Sequence, residues 1–221
     1  MTTLTTPPLS TLLERLFADA DETQSAFRAE RARLSPAERA ARMGDAADYK
    51  TFYMTHAKKV HLAVSRETAR VLYMLARAMR ARSIVEFGTS FGISTLHLAA
   101  ALKDNGGGRV IGSEFEPEKV ARARANMAAA GLADLVEIRE GDALETLSRD
   151  LPEVIDLVLL DGAKTLYARV LSQLAPRLRA GALIVADNAD MCPEYIAQVR
   201  SPRSGYISMT IGEDVELTMK S

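Results

Sequence analysis

Short runs rich in Ile, Val and Leu alternate with segments whose apolar residues recur at helical spacing, and this pattern begins at Ile84. The runs predict strands at residues 84–87, 109–114, 136–139, 155–160 and 182–186. The segments between them predict helices at residues 93–102, 117–130, 143–149 and 166–178. Because the runs are apolar on both faces, we expect a mostly parallel, doubly wound sheet with helices on both sides, an α/β fold.

The end of the chain departs from this alternation. Residues 206–211 and 215–219 alternate polar and apolar side chains on either side of the turn Gly212-Glu213-Asp214. Such a pattern is typical of a β-hairpin. We therefore expect two antiparallel strands at one edge of the sheet, which brings the strand number to seven.

The first part of the chain is predicted to be helical after a frayed start at residues 1–8. A helical pattern covers residues 9–33, Ser35-Pro36-Ala37-Glu38 is a typical helix start, and Ser65 is expected to cap a helix that reaches residue 80. Between them Gly44 is a break, and Tyr49, Phe52, Tyr53 and Met54 form an apolar cluster that either packs the helices or lines a pocket. We divide the chain into a helical extension, residues 1–62, and an α/β domain, residues 63–221.

Composition narrows the classes of function. The 221 residues carry a net charge of -1, which argues against nucleic acid or an anionic membrane as a partner. Cys192 is the single cysteine, so no internal disulfide framework is expected, and three histidines with one cysteine make a zinc site a poor hypothesis. No signal peptide and no membrane-spanning stretch are recognisable, so we expect a cytoplasmic protein.

Small and polar residues stand at the end of every predicted strand, where open α/β sheets bind their ligands. They are Glu86, Gly88, Ser90 and Gly92 after the first strand, Glu114 after the second, Asp142 after the third, Asp161 after the fourth, and Asp187 with Asn188 after the fifth.

The first of these groups resembles a nucleotide turn with altered spacing. Its Glu-x-Gly-x-x-x-Gly pattern has Ser90 where a dinucleotide motif has its second glycine, which argues against an NAD-type oxidoreductase. Gly88 and Gly92 are expected to let the backbone approach a ligand closely. Glu86, inside the turn, disfavours a phosphate and suits an amine-bearing ligand.

The next two strand ends suggest a nucleoside. Glu114 is positioned to accept hydrogen bonds from both hydroxyls of a ribose, and Asp142, beside Ala143, to receive an adenine amino group. Each residue alone is more commonly a helix cap or a solvated carboxylate. Their occurrence at successive strand ends favours a nucleoside site.

The last strand ends suggest a divalent cation. Asp161, Asp187 and Asn188 offer hard oxygen ligands that suit Mg²⁺, although Asp-Asn after a strand is also a common turn. Lys164 follows at the start of the next helix. It is either a surface lysine or a general base beside the metal.

With these residues assembled, the chain resembles the class I S-adenosylmethionine-dependent methyltransferases, and within them the cation-dependent O-methyltransferases that act on catechol or caffeoyl-CoA. The similarity covers residues 64–220. It rests on Val85-Glu-Phe-Gly-Thr-Ser-Phe-Gly-Ile-Ser-Thr95, Gly112-Ser-Glu-Phe-Glu-Pro117, Glu140-Gly-Asp-Ala143, Leu160-Asp-Gly-Ala-Lys164 and Val185-Ala-Asp-Asn188. The resemblance implies a Rossmann-like sheet of order 3-2-1-4-5-7-6.

It also implies roles for single residues. Bound S-adenosylmethionine would contact Val64, Glu86, Gly88, Ser90, Gly92, Ser94, Glu114, Phe115, Asp142, Ala143 and Asp161. Mg²⁺ or another divalent cation would be bound by Asp161, Asp187 and Asn188. Lys164, with Asp161, would be catalytic and take the proton of a substrate hydroxyl. The implied substrate is a small hydroxylated aromatic. The implied assembly is a homodimer, and we expect the amphipathic N-terminal helices of residues 1–62 to act as a cap or as the dimer interface.

In one respect the chain departs from this family. The segment between Asn188 and Tyr206 is shorter than is common, so we expect the substrate wall to come from the N-terminal helices or from a second subunit. The hypotheses kept beside the Mg²⁺-dependent O-methyltransferase are a metal-independent methyltransferase, in which the acidic residues are structural, and a non-catalytic cofactor-binding scaffold.

Overall fold

The computed structural model describes residues 1–38 and 49–221. The predicted break at Gly44 lies outside these residues, as do the side chains of Tyr49 and Phe52 from the predicted apolar cluster.

The strands of the described ranges form one sheet. They are β1 (Ser83–Phe87), β2 (Arg109–Glu114), β3 (Val136–Glu140), β4 (Ile155–Leu160), β5 (Leu178–Ala186), β6 (Tyr206–Ile211) and β7 (Val215–Lys220). Their spatial order is β3-β2-β1-β4-β5-β7-β6, with β1 to β5 parallel and β7 antiparallel to both neighbours. The predicted fold class, strand order and terminal hairpin are confirmed.

The helices of the described part of the chain lie on both faces of the sheet. They are α1 (Leu9–Ala32), α2 (Tyr49–Thr55), α3 (Arg66–Ala78), α4 (Ile93–Asp104), α5 (Pro117–Ala129), α6 (Ala143–Thr146), α7 (Tyr167–Leu174) and α8 (Pro193–Arg200). Among these residues no helix is long and apolar enough to cross a bilayer.

Several boundaries differ from the prediction, most of all around β5, and one helix was missed. The helix predicted to reach residue 178 ends at Leu174, because Pro176 cannot continue it, and β5 begins at Leu178. Helix α8 falls in a segment that the sequence indicated only as a connection. Its signal is weak but present, since Pro193 begins the helix and the buried Tyr195 and Val199 lie four residues apart.

The N-terminal part is tied to the domain. Leu9, Leu16 and Phe17 of α1 belong to the same buried cluster as residues of α3, α4 and the sheet. The predicted frayed start is wrong, because the backbone N–H of Thr3 donates to both carboxylate oxygens of Asp104 at 3.1 Å. The Tyr73 hydroxyl donates to the same carboxylate at 2.6 Å.

Both predicted helix starts are confirmed. The Ser35 hydroxyl accepts from the backbone N–H of Glu38 at 3.2 Å, and the Glu38 carboxylate accepts from the backbone N–H of Ser35 at 2.7 Å, which is a capping box. The Ser65 hydroxyl accepts from the backbone N–H of Thr68 at 3.0 Å at the start of α3.

The two glycines after β1 are required by packing within the chain. Gly88 has φ +99°, and a Cβ there would collide with the backbone carbonyl of Asp161. Gly92 has φ +89° and begins α4, and a Cβ there would lie 2.7 Å from the Cε of Met127 on α5. Both glycines are thus required by contacts within the chain, and the expectation that they also let the backbone approach a ligand stays a prediction.

A matched pair of substitutions tests this packing. Gly88→Ala is expected to lower the free energy of unfolding by about 3 kcal/mol or more, because it combines backbone strain with a collision. Gly131→Ala, which has φ +65° and no heavy atom within 4 Å of the new Cβ, is expected to cost about 1 kcal/mol from strain alone. Urea unfolding measures both. Equal losses would contradict the packing argument.

Candidate functional site

A cleft opens at the carboxyl ends of the central strands, and we call it the donor cleft. Its walls come from the residues that follow β1 to β4, because parallel strands end at the same edge of the sheet. The predicted cofactor residues that line it are Gly88, Ser90, Glu114, Phe115, Asp142, Ala143 and Asp161. Val64, Glu86, Gly92 and Ser94 do not line it.

Glu86 lies beneath the turn that follows β1. Its side chain is 0% exposed, and its carboxylate accepts from the hydroxyls of Thr89 at 2.9 Å, Ser94 at 2.7 Å and Thr95 at 2.5 Å. Burial raises the pKa of Glu86, and the three hydroxyl donors oppose this rise. In this structure Glu86 and Ser94 shape the turn, and their predicted contact with a cofactor stays a prediction.

Glu114 faces the donor cleft in a fixed orientation. One carboxylate oxygen accepts from the backbone N–H of Ser90 at 2.8 Å, and the other accepts from those of Phe115 at 2.9 Å and Glu116 at 3.0 Å. These bonds join the ends of β1 and β2. They also hold the carboxylate with lone pairs left over for a ligand.

The adenine side predicted for the cleft is bounded by α2 and α6. One oxygen of Asp142 accepts from the backbone N–H of Leu144 at 2.9 Å and caps α6, and the other pairs with the Lys50 ammonium at 2.6 Å. The ring of Tyr53 on α2 packs edge-on against Phe115, with 6.1 Å between ring centroids. A ligand amino group at Asp142 would therefore meet a carboxylate that Lys50 already contacts.

A second, wider cleft begins where the donor cleft ends, and we call it the acceptor cleft. It is lined by Val64, Asp161, Lys164, Asp187 and Asn188, and along one side by α1 residues that include Phe17, Gln24 and Arg28. Helix α1 thus supplies the wall that the short segment after Asn188 leaves open. Of the two sources expected from the sequence, the N-terminal helices are confirmed as lining this cleft.

Asp161 and Asp187 stand side by side where the two clefts meet. Burial raises the pKa of Asp161 to about 6, and burial together with the charge of Asp161 raises the pKa of Asp187 to about 7. Lys164 opposes both shifts: its ammonium lies 3.3 Å from an Asp161 oxygen and donates to the Asp187 carbonyl at 3.1 Å. The Tyr167 hydroxyl accepts from Lys164 at 2.7 Å.

Asn188 completes this acidic group. It has φ +51°, a left-handed conformation that asparagine tolerates better than most residues, and its amide nitrogen donates to Asp214 at 2.9 Å. That bond directs the nitrogen to Asp214 and leaves the amide oxygen without this partner.

The donor set of this group fits a divalent cation. Two buried carboxylates with raised pKa values and an amide oxygen are hard ligands, and a cation would relieve the repulsion between the carboxylates. In residues 1–38 and 49–221 no group of three or more His, Cys, Asp or Glu is arranged to hold a metal. The set described here differs because its third member is an amide.

One residue of the donor cleft was not anticipated. Lys119 lines the cleft although it belongs to the buried face of α5, with Val120, Ala123 and Met127. The signal in the sequence is a lysine at helical spacing with apolar residues, where a solvated side chain is not expected.

The chain is similar to known methyltransferases. Residues 85–189 match a family described as a methyltransferase domain. The catechol O-methyltransferase of Mycobacterium tuberculosis is 38% identical over 127 residues, which are 58% of this chain and 57% of that protein. The chain thus spans little more than half the length of this curated relative.

Solved structures extend the similarity. Cofactor-bound Rv0187 from MTB has a TM-score of 0.64 and 30% identity, over 72% of this chain and 81% of that one. The O-methyltransferase TomG from Streptomyces achromogenes, solved in complex with SAM, has a TM-score of 0.65 and 25% identity, over 92% of this chain and 99% of that one.

The pair of carboxylates has a testable effect on stability. The folded pKa of Asp187 is about 7 against an ordinary 3.8, so the folded state holds the proton more tightly and the protein loses stability as the pH rises between these values. Asp187→Asn removes this loss. Without divalent metal, at about pH 8, the variant is expected to be more stable than wild type by roughly 1 kcal/mol or more.

The same comparison at about pH 4 is the control, because the wild-type carboxyl is then largely protonated and the advantage should shrink. Thermal unfolding in EDTA measures both. A variant that is less stable than wild type at both pH values would contradict the repulsion assigned to the pair.

Proposed function

This chain belongs to the class I S-adenosylmethionine-dependent methyltransferases, in the family of cation-dependent O-methyltransferases, and we propose that it transfers the methyl group of S-adenosylmethionine to a hydroxyl of a small catechol-like or phenolic substrate. One observation carries the proposal: Asp161 and Gly162 line both clefts, so a donor and an acceptor bound in them would meet there. Holding two reactants in line is most of what methyl transfer from a sulfonium requires.

The donor cleft would bind the cofactor mainly by its two ribose hydroxyls and its adenine ring. Glu114 would accept from the ribose hydroxyls, and its support is a carboxylate oriented by three backbone N–H groups. Phe115, Asp142 and Ala143 would surround the adenine. The turn from Gly88 to Ser94, with Val64, would hold the methionine end.

The acidic group would hold Mg²⁺ through Asp161, Asp187 and the Asn188 amide. When bound, such a cation lowers the pKa of a coordinated hydroxyl and orients two adjacent substrate oxygens, which suits a vicinal diol on an aromatic ring. The carboxylates of Asp161 and Asp187 repel each other in the free protein. With the cation bound, both would be ionised and would act as its ligands.

After giving up one proton to solvent, the neutral Lys164 amine would receive the proton of the substrate hydroxyl at its Nζ. Support comes from its position in the acceptor cleft, 3.3 Å from an oxygen of Asp161 and within hydrogen-bond distance of the Tyr167 hydroxyl. Asp161 would hold the ammonium that forms. A general base must lie within reach of the proton it removes, and this wall of the cleft meets that need.

The metal-independent alternative has a specific observation in its favour. The ion pair between Lys164 and Asp161 already gives one carboxylate a structural partner in the ligand-free protein. Under this alternative the acidic group only packs the strand ends, and methyl transfer proceeds by alignment alone.

The remaining proposals concern the setting of the protein. We propose that it is cytoplasmic, with the extension at residues 1–62 acting as a cap over the α/β domain, and that it forms a homodimer. Because the apolar face of α1 packs within its own chain, a dimer would need a different surface from that face.

Chelation separates the metal-dependent reaction from its alternative. Transfer of a labelled methyl group from S-adenosylmethionine to catechol is expected in Mg²⁺, to fall at least about 100-fold in EDTA, and to return on adding Mg²⁺, since the metal supplies several kcal/mol at the transition state. Affinity for S-adenosylhomocysteine, measured by calorimetry, should change only slightly in EDTA.

Each other outcome removes one claim. Full activity in EDTA would eliminate the metal and favour the metal-independent enzyme. Binding of S-adenosylhomocysteine with no methyl transfer to any phenol would favour the non-catalytic scaffold. Failure to bind S-adenosylhomocysteine at all would eliminate the donor cleft as the cofactor site.

A further inference from the structure

Lys119 is a buried cation in the wall of the donor cleft. It is 3% exposed and lies in the first turn of α5, where its backbone N–H donates to Glu116 at 2.8 Å. Its side chain lines the same cleft as Ser90 and Glu114. Lysine is almost never buried to this extent without a partner.

Its ammonium has no polar partner in the ligand-free protein. Among the residues that the structure describes, no hydrogen bond or ion pair to the Lys119 ammonium is present. Its Nζ lies over the ring of Phe91, 5.6 Å from the ring centroid, and that ring stacks on His61 with 3.9 Å between centroids. Burial lowers the pKa of Lys119, while the charges of Glu114, Glu116 and Asp161 raise it by attraction.

Lys119 is attracted by nearby carboxylates with which it forms no ion pair. Glu114 and Glu116 act on Lys119 through their charges, yet neither forms an ion pair with it. Glu116 is engaged elsewhere, since its carboxylate accepts from the backbone N–H of Lys119 and pairs with Lys58 at 3.4 Å. Because Lys119 and Glu114 both line the donor cleft, a ligand group bound there can contact both, and we call that position the gap.

A hydroxyl group is the chemistry that satisfies both sides of this gap. Its hydrogen can be donated to a carboxylate, and its oxygen can accept from an ammonium. A phosphate would meet the charges of Glu114 and Glu116, and an amine would meet the charge of Lys119. The charges at this position of the donor cleft therefore favour a neutral hydroxyl group.

We propose that Lys119 donates a hydrogen bond to a ribose hydroxyl oxygen of the bound cofactor, while the same hydroxyl donates to Glu114. This inference rests on the proposed function, because it assigns the ligand of the donor cleft as a nucleoside. It makes Lys119 a cofactor-binding residue beyond those that the motifs of the sequence indicate.

The test compares ligands that differ by one hydroxyl. Calorimetry gives the affinity of wild type and Lys119→Met for S-adenosylhomocysteine and for its 2′-deoxy and 3′-deoxy analogues. We expect Lys119→Met to bind S-adenosylhomocysteine about 10-fold more weakly or worse, which is typical of a lost hydrogen bond to a charged group. For one deoxy analogue, the same substitution should change affinity by no more than about twofold.

The controls separate this contact from loss of charge or of fold. Lys103→Met removes an exposed lysine on α4, outside the donor cleft, and should leave all three affinities unchanged. Melting curves establish that each variant is folded. Should Lys119→Met prove unfolded, Lys119→Gln carries the comparison, since a glutamine is uncharged and does not reach as far.

The outcomes discriminate cleanly. Equal weakening for all three ligands would overturn the contact and leave Lys119 a structural residue. No weakening for any ligand would also overturn it, with the proposed function intact. A wild-type protein that fails to bind S-adenosylhomocysteine would instead overturn the proposed function, and this inference with it.

Discussion

The contact between Gly88 and the backbone of Asp161 is the constraint on which the site depends. The backbone N–H of Asp161 donates to the carbonyl of Phe87, the last residue of β1, at 2.8 Å. Gly88 follows β1, and a side chain there would collide with the Asp161 carbonyl. The end of β1 is thereby pressed against the end of β4. Gly88 lines the donor cleft and Asp161 lines both clefts, so this packing fixes the donor cleft against the junction where two bound reactants would meet.

Around this contact the protein accommodates buried carboxylates in two ways. Glu86 and Glu114 are each held by three donors from the chain, hydroxyls in the first case and backbone N–H groups in the second. Asp161 and Asp187 share mainly Lys164, and their pKa values stay raised. Glu86 and Glu114, which receive three hydrogen bonds each from the chain, stabilise the turns. Asp161 and Asp187 repel each other, so a cation bound between them would add most stability there.

Hydrophobic pattern and motif order were enough to predict the sheet, because doubly apolar strands and their helical spacers leave few arrangements of an α/β chain. The strand-end residues came together for the same reason. What the sequence did not reveal depends on tertiary packing. The Glu86 side chain bonds to hydroxyls of its own turn, and Lys119 lines the donor cleft from the buried face of its helix. The spacing of residues along the chain does not show whether a polar side chain will bond to its own turn or face a cleft.

The central claim is that donor and metal sites adjoin at Asp161. The most direct measurement is a crystal structure with S-adenosylhomocysteine and Mn²⁺, in which anomalous scattering locates the ion independently of the surrounding density. The account predicts the ribose at Glu114 and a Mn²⁺ peak bound by Asp161, Asp187 and Asn188, with the sulfur facing it across the junction of the clefts. Cofactor bound with no anomalous peak at these residues, or an ion bound away from them, would contradict it.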